Sequence, residues 1–131
     1  RVQISNVADI ALGAYAGSGN LVGQAGYCVY RNGGDNYSVT LTTGDGSFQV
    51  TSATASESIA FTAKLDDDSD ASDGAAATYN TAVTGLVGSS ATDCGGSNNG
   101  SVEVTFAQAA MQAASSASDY TATMTILVQP I

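Results

Sequence analysis

The chain is written in short period-two runs punctuated by glycine, asparagine and aspartate. That alternation points to half-buried β-strands joined by tight turns. Gly26–Arg31 is compact and apolar. In Asn36–Thr43, Tyr37, Val39 and Leu41 alternate with Ser38, Thr40 and Thr42. Ser47–Ser52 alternates on Phe48 and Val50, and Ser58–Leu65 on Ile59, Phe61, Ala63 and Leu65. Ser101–Phe106 alternates on Val102, Val104 and Phe106, and Asp119–Val128 sets Tyr120, Ala122, Met124, Ile126 and Val128 against a row of threonines. The opening stretch carries Val2, Ile4, Ala8, Ile10 and Leu12 at even positions, interrupted by Asn6. Turn signals separate the runs at 17–20, 32–36, 43–47, 66–74 and 94–100. The pattern predicts an all-β chain of about seven strands, a sandwich or a barrel. Only Ala107–Ser116 departs from it, being helix-permissive. With no repeat and no linker, residues 1–131 read as a single domain.

The apolar fraction of 44% overstates the core, because 22 of those residues are alanine and only 27 are Val, Ile, Leu, Met or Phe. Such a core holds a domain without much surplus, so a cross-link or a partner chain would help. The net charge of -9, with three basic residues, leaves nothing to neutralise a phosphate backbone and disfavours anionic lipid. No nucleic-acid partner is expected. No apolar run reaches the length of a membrane span. The chain begins with Arg1 and shows no signal peptide, which fits a removed leader or a fragment. Cys28 and Cys94 lie outside any CxxC motif, and there is no histidine to join them in a zinc site. One disulfide in an exported protein is the preferred reading over two buried thiols, since Ser, Thr, Gly and Asn abound and Lys is almost absent. Closing that loop stabilises by about 4 kcal/mol on the chain-entropy model.

The absence of histidine excludes a Ser-His-Asp or Cys-His nucleophile within the chain. Lys64, the sole lysine, has no obvious activating neighbour, and no glycine-rich loop is followed by Lys-Ser/Thr. Glu57 and Glu103 sit beside strand positions expected to face solvent; a hydrolase built on them is the least favoured class. The chain is read as not an enzyme and as needing no cofactor. In the acidic loop, Asp66, Asp68 and Asp70 have the spacing of the first three ligands of a calcium loop. Ala71 then stands where the turn needs glycine and no glutamate closes the site, so a solvated loop and no metal is the preferred reading. Asn36-Tyr-Ser38 and Asn99-Gly-Ser101 match the glycosylation pattern, one that arises often by chance. Tyr30, Tyr37 and Tyr120 fall on strands and read as core or half-buried tyrosines.

Several segments carry a resemblance in their order. They are Ile10-Ala-Leu-Gly-Ala-Tyr15, Tyr27-Cys-Val-Tyr30, Tyr37-Ser-Val-Thr-Leu-Thr-Thr-Gly44, and Asp119-Tyr-Thr-Ala-Thr-Met-Thr-Ile-Leu-Val128. Together they resemble the spore coat protein U-like domain, which forms the pilins of archaic chaperone–usher pili. The resemblance spans most of the chain through degenerate motifs. It implies an incomplete immunoglobulin-like sandwich whose missing last strand leaves an apolar groove. A donor strand from the neighbouring subunit completes it, and a periplasmic chaperone occupies the groove first. An open edge beside an exposed core would otherwise promote aggregation. Two features depart from the family. Only nine residues precede Ile10, so Arg1–Ile10 is either the donor arm, presenting Val2, Ile4, Ala8 and Ile10, or the domain's own first strand with the arm outside the given sequence. The family often has a cysteine in the first strand, whereas here Cys94 is the evident partner of Cys28.

The expected function is therefore a structural subunit of an extracellular, cell-surface fimbrium, exported through the periplasm, in adhesion or biofilm formation. Its expected partners are identical subunits in a homopolymer, with a periplasmic chaperone and an outer-membrane usher during assembly. The rival class is a secreted monomeric β-sandwich that binds carbohydrate or a cell surface. The two differ in whether the monomer needs a partner strand.

Overall fold

The computed structural model describes residues 1–131 apart from the surroundings of Gly34. Its strands are β1 (Val2–Ser5), β2 (Leu21–Arg31), β3 (Asn36–Thr43), β4 (Gln49–Ser52), β5 (Glu57–Ala60), β6 (Thr62–Asp66), β7 (Ala75–Ala77), β8 (Val83–Val87), β9 (Gly100–Phe106) and β10 (Met124–Pro130). One short helix, α1 (Gln108–Ala113), falls where the alanine-rich stretch permits it. The strands form an antiparallel β-sandwich, which fits the immunoglobulin-like class. One sheet has the order β1-β2-β9-β6-β7, the facing sheet β10-β3-β8, and β4-β5 is a separate hairpin.

The inward residues are those the alternation selects. Tyr37, Val39 and Leu41 of β3 face Val102, Val104 and Phe106 of β9, with Tyr27 and Val29 of β2 and Ala63 and Leu65 of β6 in the same core. Phe61 stacks on Phe48 (ring centroids 5.4 Å) and meets Phe106 (5.2 Å), joining the hairpin to the main sheet. Cys28 and Cys94 form the expected disulfide across a sequence separation of 66.

Several expectations of extent change: β2 begins at Leu21 rather than Gly26, and β10 covers Met124–Pro130 rather than Asp119–Val128. Ser58–Leu65, which reads as one strand, divides at Phe61 into β5 and β6. The side chains keep their alternation through the break, but the hydrogen-bond partner changes from β4 to β9 and β7. The strand count rises from about seven to ten, partly because Ala75–Ala77 and Val83–Val87 are strands with little sequence signal. The first is all alanine. The second carries Gly85 at φ 78, where the register against β3 slips between Tyr37 and Val39 as at a bulge.

The opening segment pairs within its own chain. Val2, Gln3, Ile4 and Ser5 lie antiparallel to Arg31, Tyr30, Val29 and Cys28. The strand stops where Asn6 takes a φ of 61, a left-handed conformation that asparagine tolerates better than most residues. Residues 7–12 then leave the sheet edge without regular structure.

Candidate functional site

The feature that stands apart is a groove of about 480 Å³ between the two sheets. Its floor is the inner face of β2 and β9, with Ala25, Tyr27, Val102, Val104 and Phe106. Phe61 and Val50 close one end. One side is the chain from Tyr120 through β10, with Met124 and Ile126 turned inwards, and the other is the irregular segment Val7–Leu12. The edge strand β10 buries its inner residues less than the central strands do. Val102, Val104 and Phe106 are 3%, 5% and 2% exposed, whereas Met124, Ile126 and Val128 are only half-buried. β10 pairs with β3 along one edge and ends its sheet, so its other edge presents unpaired backbone groups beside the groove.

Small residues shape the floor. A Cβ on Gly23 would come within 2.5 Å of Leu12 Cδ2 and 2.6 Å of Ile10 Cγ2. Glycine at that point is what lets Ile10 and Leu12 lie over β2. Of the candidate donor positions, Val2, Ile4 and Ile10 pack against the core while Ala8 is exposed at the rim with Val7, which is 58% exposed.

The remaining candidates are placed as follows. Asp66, Asp68 and Asp73, not Asp70, bring carboxylate oxygens within 4.8 Å of one another. Asp70 turns aside to cap the turn at Ala71–Asp73, accepting from Ser72 N (2.9 Å) and from Gln24 Nε2 (3.2 Å). The spacing rule missed Asp73 because the loop folds back over the outer face of β6 and β9. Burial, offset by the Asp67 N–H and reinforced by hydrogen bonding to Asp73 and Asp67, pushes the Asp66 carboxyl up to about 6. Asp66, Asp68 and Asp73 are the residues that could hold a cation. Burial pushes the hydroxyls of Tyr27 and Tyr37 well above the usual range, and the Asp66 and Asp67 charges add to it. Among the described residues the Tyr37 hydroxyl has no hydrogen-bond partner.

The two glutamates are structural in their contacts. Glu103, expected at the solvent face, is buried under the acidic loop, where Gln24 Nε2 donates to it at 2.7 Å. The periodicity placed it on the outer face correctly, but a loop that covers that face leaves no mark in a strand pattern. Lys64, opposite it in the register, donates instead to the Ser72 carbonyl (3.1 Å). Glu57 accepts from Ser115 N (2.7 Å) and the Ser115 hydroxyl (2.9 Å), and the Tyr120 hydroxyl lies 3.2 Å away. Asn99, read as a possible glycosylation acceptor, uses its amide against Val29 N (2.8 Å) and Val29 O (3.0 Å), replacing a strand neighbour.

Asp119 is the counterpart of Glu57. It accepts from the Ser52 hydroxyl, from Thr54 N (3.1 Å) and from the Thr54 hydroxyl (3.0 Å). The Ser52 bond, then the Thr54 N–H, holds its carboxyl below the usual range; the Ser115 N–H does the same first for Glu57. A depressed folded-state value contributes stability above the unfolded-state value near 4, and that stability is lost as pH falls through the folded-state value. Asp119→Asn therefore flattens the acid limb of the stability profile as pH falls below the unfolded-state value near 4, read by urea unfolding at stepped pH. An unchanged acid limb would remove Asp119 from that account.

No protein-family model matches the chain, and no curated protein matches it. Among the described residues, no helix is long and apolar enough to cross a membrane.

Proposed function

We propose that the chain is a structural subunit of an extracellular chaperone–usher type fimbrium, polymerising by donor-strand exchange in adhesion or biofilm formation. The observation that carries this reading is the apolar groove alongside the unpaired edge of β10. A strand from a second copy would extend the three-stranded sheet through backbone hydrogen bonds and set alternate apolar side chains into the groove. During export a periplasmic chaperone would cover the same surface, and an outer-membrane usher would pass the subunits outwards. The disulfide supports an oxidising destination. Val2 and Ile4 are paired and packed against β2, so Arg1–Ile10 would have to give up that pairing to fill the groove of a second copy.

Ala25 supplies the test. Its side chain is half-buried and lines the groove. Ala25→Asp sets a charge on the groove floor, so the fold of the free variant is checked alongside its assembly. An inserted strand would trap that charge without a partner, so assembly is lost. Electron microscopy of the variant should show no filaments while its circular dichroism stays that of the wild type. Filaments of normal length would reject the reading.

A further inference from the structure

On the strand-acceptor reading above, the groove edge must be held in place before a strand arrives. β10 as a strand covers only Met124–Pro130. The groove wall, however, begins at Tyr120. Between the two, the chain has little regular pairing of its own. Gly44 N donates to Thr123 O at 3.3 Å, and Thr51 and Thr121 exchange two backbone bonds of 3.0 and 3.1 Å. What secures this stretch is a reciprocal pair of carboxylates. Glu57, at the start of β5, reaches out to Ser115 and Tyr120. Asp119 reaches back the other way to Ser52 and Thr54 in the turn of the same hairpin. The hairpin thus grips the chain at Ser115, Asp119 and Tyr120, just ahead of Thr121–Thr123, and each carboxylate accepts bonds that a neutral amide reproduces poorly.

We propose that Glu57 and Asp119 are positioning residues that hold Tyr120–Thr123 in line with β10, so that the edge offered to an incoming strand runs from Tyr120 to Pro130. Without the clasp the usable edge shrinks to β10 itself. The partner implied is an extended segment of about eleven residues rather than seven, with alternating apolar side chains.

The experiment measures binding of two probes to the wild-type chain and to the Glu57→Gln/Asp119→Asn variant. The probes are lysine-capped peptides of seven and of eleven alternating valine and threonine residues. The wild type should bind the longer peptide on the order of tenfold more tightly, from the extra backbone bonds it makes. The variant should bind both peptides alike, at the wild-type affinity for the shorter one. That unchanged short-peptide affinity also shows the variant is folded. A variant that keeps the wild-type ratio overturns the positioning role. One that loses both peptides equally also overturns it, since the carboxylates would then support the fold at large. If neither peptide binds the wild type, the strand-acceptor reading itself fails.

Discussion

Replacing both cysteines, Cys28→Ser with Cys94→Ser, should lower the stability of the chain by about 4 kcal/mol. The bond closes a long loop, with a sequence separation of 66, and the model cost of leaving such a loop open in the unfolded chain is of that size. The folded state offers little to compensate. Cys94 lies in the connection between β8 and β9, in a left-handed backbone conformation (φ 55). Near it, the returning chain is held to β2 by the Asn99 amide and by Ser89 N donating to Val29 O (2.9 Å). For a domain whose whole margin is typically about 5–15 kcal/mol, the loss is large. Urea unfolding of the two forms should show a lower midpoint for the variant. A loss under about 1 kcal/mol would mean that the unfolded chain already keeps these segments together.

Phe61→Ala should cost about 3–5 kcal/mol, the usual range for truncating a buried phenylalanine. Phe61 is 8% exposed and stands where the chain leaves the β4–β5 hairpin for β6. Its ring lies between Phe48 and Phe106, so it couples the hairpin to the main sheet. It also lines the groove. Truncation therefore removes apolar contacts and widens a space that is already incompletely filled. Phe61→Leu, which keeps most of the volume, should cost much less. Equal losses for the two variants, measured by the same unfolding curves, would show that the site depends on the aromatic ring rather than on filled volume.

The alternation of apolar and polar residues made the central strands legible. β3 and β9 appear almost where Tyr37, Val39, Leu41 and Val102, Val104, Phe106 put them, because a sheet with one buried face imposes that alternation directly. What the pattern could not reveal is which strand bonds to which. Ile59, Phe61, Ala63 and Leu65 alternate without a gap, yet the backbone changes sheets at Phe61. β7 was hidden because three alanines carry no strand preference of their own. β8 was hidden because Gly85 interrupts a five-residue run. The groove was not legible in the strand pattern, since a space between sheets depends on distant segments. The clasp was not visible at all. Glu57 and Asp119 are 62 positions apart as single acids in serine- and threonine-rich stretches, and only the folded hairpin brings each to its partners.

Under the proposed function, the groove beside β10 is filled by a strand from another copy. The most direct measurement is negative-stain microscopy of the native material, with the same sample run on denaturing gels before and after heating. Thin filaments and a ladder of bands that collapses to one band on boiling are expected, because inserted strands would hold the subunits without covalent links. A single low-mass band in both lanes and a field without filaments would contradict it, and would leave a self-contained monomer whose groove serves some other ligand.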